Sequence, residues 1–110
     1  MTDDIEAAFD LSNLAPDQTG LRFIVWIAVD FGYTDDVRVY ISHKPHIRRS
    51  ELVEVAIRPE VRVVGGTLSD DELELLKRWV ELNFDVLVAY WDGEIEGTME
   101  AMERLRAIGG

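Results

Sequence analysis

The stretch SDDELELLKRWVELNFDVLVAYW, residues 69–91, decides the architecture. Ser69 stands three residues before Glu72, the capping-box spacing in which a hydroxyl and a carboxylate each satisfy an orphan backbone N–H, and Leu68 and Leu73 fall where a hydrophobic staple forms. The spacing predicts a helix that starts at Ser69 and runs to Trp91. At about 100° per residue, Leu73, Leu76, Val80, Asn83, Phe84, Leu87 and Trp91 form one stripe, and Leu75, Trp79, Leu82 and Val86 form a second beside it. Together they span roughly half the circumference, more than the roughly 100° stripe of a helix packed on one side only. One stripe can cover a sheet. The other is expected to need a further partner, so Leu75, Trp79, Leu82 and Val86, with help from Trp91, form the expected interface of a homodimer, the commonest closed assembly. Asn83, set among apolar neighbours, must satisfy its amide, either on a loop backbone or by fixing register across a symmetric helix pair.

Upstream of this helix the chain reads as strands. Leu21 to Val29 is apolar at both parities, as a central strand is. Val37, Val39 and Ile41 alternate with Arg38, Tyr40 and Ser42, and Val53, Val55 and Ile57 alternate with Glu54, Ala56 and Arg58, each pattern that of a half-buried strand. Pro59 interrupts the ladder, leaving Val61 to Val64 as a fourth strand or a bulged continuation. Residues 3–14 are expected to form a short helix and 13–20 a loop, so that residues 1–20 make an arm before a single domain over 21–110. After Trp91, a turn from Asp92 to Gly97 leads to a second helix with Met99, Met102 and Leu105 on its apolar side. Adjacent strands followed by helices, joined by short connections, argue an α+β fold: an antiparallel meander of three to four strands, covered on one face by the long helix.

Composition narrows the chemistry. The chain has 110 residues and no Cys, which removes disulfides, thiolate metal sites and cysteine nucleophiles and fits a reducing cytoplasm. Its longest apolar run, Phe23 to Val29, is seven residues, against the roughly 18 that a membrane span needs. The formal net charge is −11, with eleven acids against four Lys/Arg over residues 67–110 and seven Lys/Arg against six acids over 21–66. Such a surface repels phosphates, so neither nucleic acid nor membrane is an expected partner. A basic protein is, in the manner of an acidic antitoxin.

The run Val37-Arg38-Val39-Tyr40-Ile41 before a Pro-His loop, followed by Leu73, Leu76, Trp79, Leu82, Asn83, Leu87 and Trp91 along the helix, resembles domain-of-unknown-function family 4160, a group of small bacterial proteins. The resemblance implies a compact sheet-plus-helix protein without an established activity, in some cases suspected of toxin–antitoxin association. Where that family typically reads Pro-Pro-His-x-His, this chain reads Lys44-Pro45-His46-Ile47-Arg48, so no catalytic residue carries over.

Four local patterns invite chemistry. His43 and His46 could serve a small metal-dependent enzyme or sensor if Asp35, Asp36 or Glu51 came near, but Lys44, Arg48 and Arg49 would oppose a cation and suit an anion or an acidic partner contact. Asp92, Glu94, Glu96, Gly97, Glu100 and Glu103 fall on a twelve-residue calcium-loop frame, with Glu where the short Asp or Asn belongs, so the plainer reading is an acidic turn. Gly65-Gly66-Thr67-Leu68-Ser69 opens a helix as a phosphate cradle does, but Asp70, Asp71, Glu72 and Glu74 fill its positive end. Ser42 beside His43 lacks a nucleophile elbow. The expectation is a non-enzymatic protein without a cofactor.

Overall fold

Alternating apolar residues build five strands where three or four are predicted. The computed structural model describes residues 11–29, 37–44 and 48–108; residues 3–10 of the helix expected over 3–14, the turn with Asp35 and Asp36, and Pro45-His46-Ile47 lie outside them. Strands β1 (Leu11–Leu14), β2 (Ile24–Ala28), β3 (Arg38–Ser42), β4 (Val53–Ala56) and β5 (Arg62–Gly65) pair in chain order, and every pair is antiparallel. A short helix α1 (Pro16–Thr19) links β1 to β2, and the long α2 (Asp70–Trp91) and short α3 (Thr98–Arg104) follow the sheet.

The register explains the core. Leu14 pairs with Val25, Val25 with Ile41, Ile41 with Val53, and Val39 with Val55, so one sheet face is a continuous aliphatic surface. Leu76, Val80 and Leu87 of α2 join that surface in one buried cluster. On the opposite face Trp26 and Tyr40 are cross-strand partners and form a smaller cluster with Leu52. Arg38 and Glu54, on that same face, are joined by an ion pair.

The N-terminal helix and the strand count are corrected here. Leu11 to Leu14 is a strand and not the end of a helix, because pairing with β2 supplies the backbone partners that a polar Ser12-Asn13 pair does not advertise. Residues 11–20, read as arm and loop, thus give the sheet its fifth strand. Of the two readings offered for Val61 to Val64, the separate strand is the one found, as β5 over Arg62–Gly65, after the cis Arg58–Pro59 bond and with a register shift at Glu54 and Val55. The start of α2 follows the expected chemistry: Ser69 Oγ accepts the Glu72 N–H at 3.1 Å, and Glu72 Oε1 accepts the Ser69 N–H at 3.1 Å.

Candidate interaction surface

The second stripe of α2 finds most of its cover inside the chain. Trp79 is 0 % exposed, and Val86 and Trp91 are also buried. The C-terminal segment shares their cluster: Ile95 and Ala101 are buried, and Met102, Leu105 and Ile108 pack against the core. Asn83 fastens that segment. Its Nδ2 donates to the carbonyl oxygens of Trp79 and Arg106, each at 2.9 Å, while the Arg106 N–H donates to its Oδ1 at 2.6 Å. Arg106 Nη1 adds a bond to the Leu82 carbonyl, and the Ile108 N–H reaches the Thr19 carbonyl at 2.9 Å.

Of the five residues expected at an interface, then, Trp79, Val86 and Trp91 are interior, Leu75 is partly covered and packed on the core, and Leu82 remains 40 % exposed. The missed signal was the apolar content of residues 95–108. Met99, expected on the inner side of α3, points outward, and Ala101 takes the buried position.

The other flank of α2 is left open. It faces the connection between β4 and β5, across a groove of about 530 Å³ lined by Ile57, Pro59, Val61, Val80 and Phe84, with Glu60, Lys77 and Glu81 among its charged residues. Phe84, at 38 %, is a large apolar side chain exposed on this side, while Val64, at 42 %, is exposed on the opposite face of the sheet. Strand β5 is the last in the sheet and pairs only with β4 among the described residues.

The patterns that invited chemistry serve local structure. His43 Nε2 lies 2.6 Å from Glu72 Oε2, and its ring meets Phe23 edge-on, so this histidine ties the end of β3 to the start of α2. That hydrogen bond, with the one from Ser69 N–H, holds the Glu72 carboxyl below its ordinary value. Glu51 accepts the Arg48 N–H at 3.0 Å within its own turn. Lys44 and Arg48 are exposed, while His46 and the Arg49 side chain lie outside the described residues. Ser42 Oγ accepts from Trp26 Nε1 and donates to the Lys44 carbonyl, both at 2.8 Å, which occupies the hydroxyl structurally. The calcium frame is interrupted because α3 begins at Thr98 and places Glu100 against Arg104 at 2.5 Å. Among the described residues no group of three His, Asp or Glu is placed to hold a metal ion, and no helix is long and apolar enough to cross a membrane.

A family model described as "Domain of unknown function (DUF4160)" matches residues 38–92, from the start of β3 through the end of α2. No curated protein and no solved structure matches the chain.

Proposed function

The chain belongs to the DUF4160 family, whose description assigns no activity, and from its geometry we propose that it is a non-enzymatic protein-interaction module that docks through the flank of α2 facing the connection between β4 and β5. The observation that carries this reading is the exposure of Phe84 beside the groove between α2 and the connection from β4 to β5. A folded domain that hides Trp79 completely has no packing reason to leave a phenylalanine wet one and a half turns along the same helix. The groove has an apolar floor and a rim of mixed sign, the composition of a protein-binding patch rather than of a catalytic cleft. A cytoplasmic setting suits the cysteine-free chain.

A photoreactive phenylalanine analogue at position 84, in the full chain inside the cells that make it, tests the reading. Covalent adducts of discrete mass are expected at this site and not when the same probe replaces Met99, which is exposed on α3. Absence of adducts at position 84, or equal labelling at both positions, refutes it.

A further inference from the structure

Residues Leu105 to Ile108 leave α3 and lie on α2 as a bound peptide lies in its site. Leu105 has φ −70° and ψ 143°, so the helix stops there and the chain continues in extended form. Arg106 exchanges two main-chain hydrogen bonds with the Asn83 side chain, its Nη1 donates to the Leu82 carbonyl, and the Ile108 N–H donates to the Thr19 carbonyl. Three of these four bonds take main-chain atoms of the strap and one takes a side chain. A site of this kind gains affinity from an extended backbone and specificity from the alternate side chains.

The receiving side is positioned by the rest of the fold and not by the strap. Asn83 Nδ2 also donates to the Trp79 carbonyl, one turn earlier in α2. An amide nitrogen carries two donors, so this bond fixes the side chain and aims its second donor and its Oδ1 at the strap. The Thr19 carbonyl is set by α1, and Gly20, at φ +81°, ends that helix and leaves room for the Ile108 carbonyl where a Cβ would intrude. A seat held in this way needs no ordering of its own when a peptide arrives.

The strap itself is lightly held. Arg106 and Ala107 are exposed and Leu105 and Ile108 only partly covered, whereas Asn83 beneath them is fully buried. Segments with few buried apolar contacts open while the remainder of a fold stays closed. When this one lifts, a pre-aimed donor and acceptor face solvent. The strap's own chemistry defines what fits there: apolar residues at its first and fourth positions and a basic one at its second. An arginine suits a chain of net charge −11, and Arg106 borders a groove that Asp85, Val86 and Ala89 also line.

We infer that this seat is a second interaction site, for an extended peptide of the pattern apolar-basic-any-apolar, which the chain's own Leu105-Arg106-Ala107-Ile108 occupies in cis as an opening strap. The seat residues Thr19, Leu82 and Asn83 are not among those lining the groove at Phe84, so adducts formed at position 84 neither support nor refute it.

Two measurements on the full chain test it. In native-state amide exchange, the Arg106 and Ile108 N–H groups are expected to exchange together, at least about tenfold faster than those of Leu76 and Val80, at a rate that low denaturant leaves unchanged. Arg106→Pro then removes the N–H that donates to Asn83 and leaves the seat whole, at a position whose preceding residue is already extended. A blocked synthetic peptide with the sequence of residues 103–108 is expected to bind this variant with a Kd between about 10 µM and about 1 mM. Binding should raise the melting temperature and shift the Asn83 side-chain amide resonance. The same peptide with proline in place of its second arginine is expected not to bind. Should Arg106→Pro fail to fold, Leu105→Ser combined with Ile108→Ser loosens the strap and leaves every seat atom in place for the same titration. Strap amides that exchange only with global unfolding, no binding at about 1 mM peptide, or equal binding of the two peptides overturns the inference.

Discussion

The side-chain amide of Asn83 pairs with the backbone of Arg106 as one strand pairs with another: it accepts the Arg106 N–H at 2.6 Å and donates to the Arg106 carbonyl at 2.9 Å. A helix has no free backbone in its middle with which to hold an extended segment. A buried Asn supplies the missing donor and acceptor. The closing of residues 95–108 over Trp79 and Val86 therefore depends on one polar side chain inside an apolar stripe.

Replacing Asn83 by Ala leaves a backbone donor and an acceptor of Arg106 without partners, and a cost of about 2–3 kcal/mol is expected. Asn83→Asp keeps an acceptor for the Arg106 N–H but turns a carboxylate towards the carbonyl oxygens of Trp79 and Arg106. Its deficit should be at least as large at neutral pH and should shrink on acidification, when a protonated carboxyl can donate. Urea unfolding at pH 7 and pH 5 reads both effects; an Asp variant as stable as the parent would show that the amide is not the fastener.

Gly20 is the other end of the same closure. Its φ of +81° suits glycine, and a Cβ built there would lie 2.6 Å from the Ile108 carbonyl oxygen. Gly20→Ala combines a left-handed backbone with displacement of the C-terminal segment, and about 2 kcal/mol of destabilisation is expected. Faster amide exchange at Ile108, whose N–H is bonded to the Thr19 carbonyl, would place the damage there; unchanged exchange would refute the coupling.

The long helix, its cap and three of its packed strands were legible because each rests on local chemistry: the Ser69 and Glu72 cap, and the alternation through Val39, Ile41, Val53 and Val55. Strand β1 was not, since Ser12 and Asn13 become a strand only through the partner that β2 provides. The apolar arc on α2 was read too wide at both edges, where Leu82 and Phe84 are exposed, and a sequence pattern reports that surface must be covered and not by what. Trp79 and Val86 are covered by residues far along the same chain, joined to α2 by the bonds of Asn83, whose destination no periodicity reveals. Phe84 was counted with the sheet-facing stripe, yet it is 38 % exposed and lies beside the connection between β4 and β5.

Glu72 links stability to pH through its cap and His43. Its carboxyl titrates below its ordinary value, first because of the His43 hydrogen bond and then that of the Ser69 N–H. A group whose folded value is depressed stabilises the fold above its unfolded value and loses that contribution as pH falls through the folded one. Stability is thus expected to decline on the acid side of the carboxyl range. Glu72→Gln, which removes the titration while retaining a capping acceptor, should flatten that limb, and His43→Ala should do so in part. Melting temperatures across pH 3 to about pH 6 decide it: identical acid limbs in parent and Gln variant would exclude this linkage.

Trp79 and Leu82 separate a helix covered within the chain from one covered by a partner. Trp79 is fully buried, with its indole N–H lacking a hydrogen-bond partner among the described residues. Trp79→Ala should cost about 3–5 kcal/mol through the cavity it opens. Trp79→Phe should cost much less, because it keeps most of the volume and removes an orphan donor whose burial is itself unfavourable. Leu82→Ala, at a position 40 % exposed, should stay within about 0.5 kcal/mol. Denaturant midpoints at two protein concentrations complete the comparison. If this stripe is covered within one chain, the Trp79→Ala deficit is the same at both; a deficit that grows on dilution would mean that Trp79 is buried between copies and not within one.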